Sequence, residues 1–225
     1  MGRGSAVVAV LSAWVALAAA SAAHAAALPA AGPLLRDVVV RAAPSLDAHA
    51  VLTLSQFRPD FRPRIVLAVQ MSGHGPTAWY RIRLASRPNG RTGWIAADAA
   101  ELHAISTRIV IHRSARTIDV WRRHARLLHA AVAVGAAGME TPLGNFYVTA
   151  RFWPTDSFFG PFALETSAYS RLSEWPGGGV VGIHGTSMPW LLGRAVSHGC
   201  VRVANATALR LGQLVPLGTP ISIVG

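Results

Sequence analysis

Two short stretches hold the residue types from which covalent catalysis can be assembled. They are Ile183-His184-Gly185-Thr186 and Ser197-His198-Gly199-Cys200-Val201-Arg202, with Cys200 sixteen residues after His184. Cys200 is the only cysteine, so no disulfide can form within the chain. Three readings remain: an inert buried thiol, a metal ligand and a nucleophile. An inert thiol behaves as a small hydrophobe, and nothing about that role asks for flanking His-Gly and Arg. Zinc accepts N and S ligands and would have to recruit His184, His198 and Cys200. The chain has no second Cys and no His-Glu-x-x-His or His-x-His pattern, which argues against a metal. A nucleophile needs a nearby base, and His184 supplies one if the chain brings it across to Cys200.

The elements that must do this can be read from the pattern. Val180 to His184 reads as a buried strand ending on the histidine, and Asn205 to Leu214 as a helix with Asn205 as N-cap and an apolar stripe at Ala208, Leu211 and Leu214-Val215. Cys200 therefore falls at a strand-to-helix transition, where the field of the helix would favour its thiolate. Gly199 permits a strained turn or a close approach, and backbone N–H groups at 199 and 200 could meet an oxyanion. Residues 185–196 form a loop over the site, with Pro189 and Trp190 as walls. The aromatic stretch Arg151 to Phe162 is either core or groove wall, with Asp156 and Glu165 expected in solvent.

The remainder of the chain reads as β-structure. Ile109-Val110-Ile111 and Ile118 to Trp121 flank a polar turn at 113–116 and predict a hairpin. Leu127 to Val134, Asn145 to Val148 and Ile221 to Val224 add strands. From Leu34 to Leu102, short strands alternate with turns: Val38 to Arg41, Ile65 to Val69, Trp79 to Leu84, the turn Pro88-Asn89-Gly90, then Thr92 to Ile95. That alternation predicts a small antiparallel barrel. Arg58 to Pro63, with His74, reads as loop insertion.

Composition bounds the setting. Lys plus Arg number 21 against 10 acidic residues, a formal net charge of +11. All the cations are arginine, scattered along the chain. The balance predicts attraction to anionic polymers, and no nucleic-acid motif accompanies it. Residues 1–25 read as a secretory signal: Arg3, an apolar run from Ala6 to Ala20 and a small-x-small site at Ala23-His24-Ala25. The run is short for a bilayer span, so membrane association is expected only through an uncleaved signal segment. The remaining histidines, 49, 74, 103, 112, 124 and 129, read as surface or packing residues.

The motifs together resemble two families. Val40-Arg41-x-x-Pro44, Trp79-Tyr80-Arg81-Ile82 and Gly90-Arg91-Thr92-Gly93-Trp94-Ile95 resemble the bacterial SH3-like family over residues 34–103. That resemblance implies a wall-binding or spacer role, or a packing module without a ligand. The His184 and Cys200 motifs, with Thr141-Pro142-Leu143-Gly144-Asn145-Phe146 and Gly218-Thr219-Pro220, resemble the YkuD-like L,D-transpeptidase catalytic domain over 106–224. The expected fold is mainly β: an SH3-like barrel, then a β-sandwich-like domain with one short helix after the cysteine.

This second resemblance implies Cys200 as nucleophile and His184 as base. Gly185 would orient His184, Ser197, His198 and Gly199 would support the site, and Arg202, with Trp190, would bind substrate. It further implies an exported enzyme without cofactor or metal. Its substrate would be the peptidoglycan stem tetrapeptide, and D-alanine the leaving group. L,D-carboxypeptidase action and a non-catalytic wall-binding role are the alternatives. A papain-like wall hydrolase, in which Cys precedes His, is disfavoured because His184 comes first.

Overall fold

The computed structural model describes residues 27–174 and 178–225. The predicted signal segment lies outside them. No helix among the described residues is long and apolar enough to cross a membrane.

Residues 30–104 form one seven-stranded antiparallel sheet: β1 (Ala30–Pro33), β2 (Val38–Arg41), β3 (Ala50–Leu54), β4 (Ile65–Ser72), β5 (Trp79–Arg83), β6 (Thr92–Ala96) and β7 (His103–Ala104), in the order β3-β2-β6-β5-β4-β1-β7. Period-two alternation decides its faces. Tyr80 and Ile82 of β5 point inward to join Val40, Val66, Ala68 and Ile95 in a compact core, while Arg81 points out. The Pro88-Asn89-Gly90 turn falls between β5 and β6, as its residues predict.

The remaining strands are β8 (Thr107–His112), β9 (Thr117–Arg122), β10 (Ala125–Ala131), β11 (Val134–Gly135), β12 (Gly144–Phe152), β13 (Ala163–Tyr169), β14 (Val180–His184), β15 (Ala195–Ser197), β16 (Val201–Arg202) and β17 (Pro220–Val224), with the single described α-helix, α1 (Asn205–Leu214), before β17. Eight strands make a mixed sheet, β10-β9-β8-β17-β12-β13-β14-β16, while β11 and β15 pair separately. The predicted hairpin is β8-β9, with Ile109 opposite Val120 and Ile111 opposite Ile118. The sheet curls: Val120 from one end and Val201 from the other enter the same core as Ile183, Ile221 and Phe162. Ala208, Leu211 and Leu214 of α1 close that core. Leu211 is fully buried, so truncating it to Ala would cost roughly 2–5 kcal/mol.

The two sheets are joined by specific contacts. Arg58 reaches Glu165 through two bonds of 2.7 and 2.9 Å, and Thr149 donates to the same carboxylate. Glu165 is therefore paired rather than solvated. The 58–63 segment is not a free insertion but the arm that makes this pairing. The Asn89 amide pairs both ways with the Tyr169 backbone, and Tyr147 donates to the Ile65 carbonyl. Ala31, Leu67 and Tyr147 form a small apolar cluster between the sheets.

Candidate active site

The site arises from one parallel strand pair. β14 and β16 run parallel with Ile183 opposite Val201 and His184 opposite Arg202. Alternate residues of a strand share a face. Ile183 and Val201 therefore turn into the core, where both are buried. Gly182 and His184 lie on the other face, with Cys200 and Arg202 beside them. Gly182 has no side chain, and the thiol uses that space: its N–H donates to Cys200 Sγ at 3.4 Å. A Cβ on Gly182 would lie 3.7 Å from His184 Cδ2 and 3.9 Å from Cys200 Sγ. The imidazole and the sulfur thus flank one point. Gly182 is a position of the candidate site that sequence reasoning missed; a glycine inside a buried β-branched strand is the available signal, since it marks close approach.

His184 is 3% exposed. Its Nδ1 lies 2.6 Å from the Gly185 carbonyl. A carbonyl only accepts, so Nδ1 carries the hydrogen and Nε2, bonded to Cδ2, keeps a free lone pair. Burial is the main cause that lowers the His184 pKa to about 4, with Arg202 adding to the effect and the Gly185 bond opposing it. The imidazole is neutral at pH 7. Phe159 packs edge-on to it at 5.0 Å between ring centres, and Phe158 lies at 6.4 Å. These two belong to a turn at 157–159, capped by Asp156, which accepts from the Phe158 N–H. Phe162 instead sits in the core. The aromatic stretch is therefore both core and wall, divided within a few residues.

The helix-field expectation for Cys200 is corrected. β16 stands between Cys200 and α1, so the helix does not begin at the cysteine. Burial pushes the thiol pKa up, partly opposed by the Gly182 N–H and by Arg202. The resting pair is thus a neutral thiol beside a neutral imidazole.

The loop carrying Cys200 is held from inside. Ser197 Oγ donates to the Cys200 carbonyl at 2.5 Å and accepts from the Gly199 N–H at 3.2 Å. That N–H therefore has a partner within the loop, and the part Gly199 plays is conformational. Its φ is +119°, and a Cβ there would lie 2.7 Å from Ser170 Cβ. Thr141, fully buried, donates to the Gly199 carbonyl at 2.9 Å and accepts from the Gly135 N–H. Thr141 is the second position whose part emerges only in three dimensions. His198 is partly exposed between Ser197 and Gly199.

Asn205 is also corrected. Ala204 is the N-cap of α1, and Asn205 is its first helical residue. Its Oδ1 accepts from the Thr186 N–H at 2.8 Å, which ties the exit of β14 to the start of α1. Arg202 is buried, with its guanidinium 4.8 Å from the Phe158 ring centre. Its Nε has no hydrogen-bond partner among the described residues. Trp190 is 68% exposed in the turn 189–191 of the loop that follows β14. Among the described residues no group of three or more His, Cys, Asp or Glu side chains is placed to hold a metal ion.

Comparison with known proteins identifies the family. Residues 106–223 match the L,D-transpeptidase catalytic domain, YkuD. The chain is 34% identical over 119 residues to the protein named "Putative L,D-transpeptidase YkuD" of Bacillus licheniformis, covering 53% of this chain and 66% of that protein. The Bacillus subtilis protein of the same name is 31% identical over 121 residues, covering 54% and 68%. The chain belongs to the L,D-transpeptidase catalytic-domain family, and it spans about two thirds of the length of these curated relatives. Among solved structures, an L,D-transpeptidase from Mycobacterium smegmatis aligns with a TM-score of 0.46 at 15% identity, over 72% of this chain and 91% of that one.

Proposed function

We propose that this chain is an exported, cysteine-dependent L,D-transpeptidase acting on peptidoglycan stem peptides. Cys200 is the nucleophile and His184 the base. The observation that carries the reading is that the β14–β16 pairing brings Cys200 Sγ and His184 Cδ2 each within 4 Å of the point where a Gly182 side chain would begin.

His184 Nε2 takes the thiol proton as Sγ attacks the carbonyl carbon of the third stem residue. Charge develops on sulfur and then on the carbonyl oxygen. The Gly182 N–H and Arg202 stabilise the first. The Cys200 N–H would receive the second, and Arg202 would also help bind the substrate. The C–N bond breaks, imidazolium returns its proton to the departing amine, and D-alanine leaves a thioester on Cys200. An acceptor amine attacks the thioester carbon and gives its proton to His184; the new C–N bond forms as the C–S bond breaks, and the imidazolium passes the proton to sulfur, restoring the thiol. Ser197, His198, Gly199 and Gly185 position these groups, and Trp190 borders the substrate path from the 185–196 loop.

Residues 1–25 are proposed as the export signal, 34–103 as an SH3-like module and 106–224 as the catalytic domain. The SH3-like reading is supported by the antiparallel sheet in which Trp79 and Trp94 sit on adjacent strands. The test is incubation with a disaccharide-tetrapeptide and mass spectrometry of the products, with Cys200→Ala alongside. Crosslinked dimer and free D-alanine made by the unaltered protein alone are expected. Tripeptide alone would mean water is the acceptor and the activity is carboxypeptidase. Failure to form either product by folded protein would overturn the enzyme reading.

A further inference from the structure

A cavity of about 720 Å³ lies between the two sheets, lined by Arg87, Asn89, Arg113, Glu140, Ser170 and Arg171, among others. It is within the size range of small-molecule sites. It begins one side chain from the nucleophile loop, because Ser170 lines it and also packs against Gly199. A second link runs on the opposite side. Arg113 donates to the Thr141 carbonyl at 3.1 Å, and Thr141 in turn holds the Gly199 carbonyl.

Three guanidiniums, of Arg87, Arg113 and Arg171, and one carboxylate, of Glu140, lie in this lining. Arg87 is fixed by bonds of 2.6 and 3.0 Å to the carbonyls of Ser170 and Gly178 and lies 5.0 Å over the Tyr169 ring. Arg113 is fixed through Thr141. Both are anchored by neutral backbone acceptors, so neither charge is cancelled, and further N–H donors remain on each fork. Glu140 accepts from the Gly138 N–H, and among the described residues no ion pair joins it to any of these arginines. Its carboxyl is held below the usual range, first by that backbone bond and more weakly by Arg171 and Arg113.

We propose that this cavity is a second carboxylate-binding subsite, which takes a peptidoglycan stem peptide by its free carboxylates and is distinct from the Cys200–His184–Arg202 face. The inference rests on the stem-peptide reading given above. Guanidinium forks on rigid anchors match carboxylates in geometry as well as charge. One subsite wall, Arg87 and Asn89, comes from the N-terminal sheet, which gives that sheet a part in holding substrate.

The test uses the full chain carrying Cys200→Ala, so that no turnover intervenes, and calorimetry with a stem tetrapeptide. The same peptide with its carboxylates amidated is the second probe. The expected result is binding of the free-carboxylate peptide that weakens about tenfold or more on amidation. The contrast should vanish in Arg113→Gln/Arg171→Gln and return in part in Arg113→Gln/Arg171→Lys. Arg171→Gln alone is the check against misfolding, since its side chain lies at the surface.

A contrast that survives in both variants would overturn the proposal, placing carboxylate recognition elsewhere. Equal binding of both peptides would overturn it too. Release of D-alanine by the protein with Cys200 intact separates the two readings. Release without the arginine-dependent contrast sinks the subsite alone, whereas no release and no peptide binding sinks both.

Discussion

The N-terminal and C-terminal sheets are made of similar β-branched strands, yet they differ in how distant segments meet. Every pairing in the N-terminal sheet is antiparallel, and hairpins such as β5-β6 join neighbours in sequence. The C-terminal sheet contains two parallel pairs, β17 with β8 and β14 with β16. A parallel pair cannot be closed by a tight turn and needs a long crossover. The β14–β16 crossover is the 185–200 segment, and its far end carries the thiol. The candidate site sits at a parallel pair, and the antiparallel N-terminal sheet contributes Arg87 and Asn89 to the neighbouring cavity and Arg58 to the joint.

The largest test of that contrast is His184→Gln. The substitution keeps a polar side chain at the end of β14 but removes the proposed base. The rate of Cys200 acylation should fall roughly 10²–10⁴-fold with an unchanged melting temperature near neutral pH. An unchanged rate would mean that the parallel pair does not assemble the reacting groups.

Gly182→Ala probes the same juxtaposition more gently. The nearest atoms to the added methyl lie at 3.6–3.9 Å, so the fold should tolerate it. The methyl would occupy the gap between imidazole and sulfur and lower acylation on the order of 10–100-fold. Wild-type acylation would show that the gap is not used.

The pH dependence follows from the buried imidazole. In the folded chain His184 titrates near 4 instead of its ordinary 6.5. Between these values the unfolded chain binds a proton that the folded chain refuses. Stability is therefore full above about pH 6.5 and falls as pH drops towards 4, by about 3 kcal/mol in total from this group. Denaturant midpoints for the unaltered protein and His184→Gln, alike near neutral pH, should diverge as pH is lowered through that window, because only the unaltered protein loses stability from this group. The acid limb of kcat/KM should likewise fall near 4. A limb near 6.5 would mean that the imidazole is solvated.

The smallest effect is expected at the joint between the sheets. Arg58→Ala leaves Glu165 with Thr149 as its remaining side-chain partner. Both members of the pair are partly exposed, at 17% and 25% of their side-chain surface, so the cost is about 1–3 kcal/mol rather than that of a fully buried pair. At about 2–4 °C per kcal/mol for a chain of this size, melting should drop by several degrees, and Glu165→Ala should add little in the double variant. Additive losses would mean that the two side chains do not act together.

Much of this was legible locally. Alternation placed β5, β8 and β9, turn residues placed the 88–90 and 113–116 connections, and the Ala208–Leu211–Leu214 stripe placed α1. The His184 and Cys200 motifs could be read because each is a contiguous run. Asn before an apolar stripe is a good N-cap, and only the segment leaving β14 shows that the Asn205 oxygen is taken by the Thr186 N–H. The helix-field expectation for Cys200 failed because β16 is just two residues long, below what a periodic pattern can reveal. Glu165 read as solvated because its partner, Arg58, lies 107 residues away.

The sequence by itself determined which residues can react, which strands have a buried face, and where the chain turns, because these depend on side-chain chemistry and on neighbours a few positions apart. Tertiary structure alone decided that Gly182 lies beside both the His184 imidazole and the Cys200 thiol, that Thr141 and Ser197 brace the loop, and that the thiol pKa is raised rather than lowered. Those depend on strand register and burial, which bring together groups that no local pattern connects.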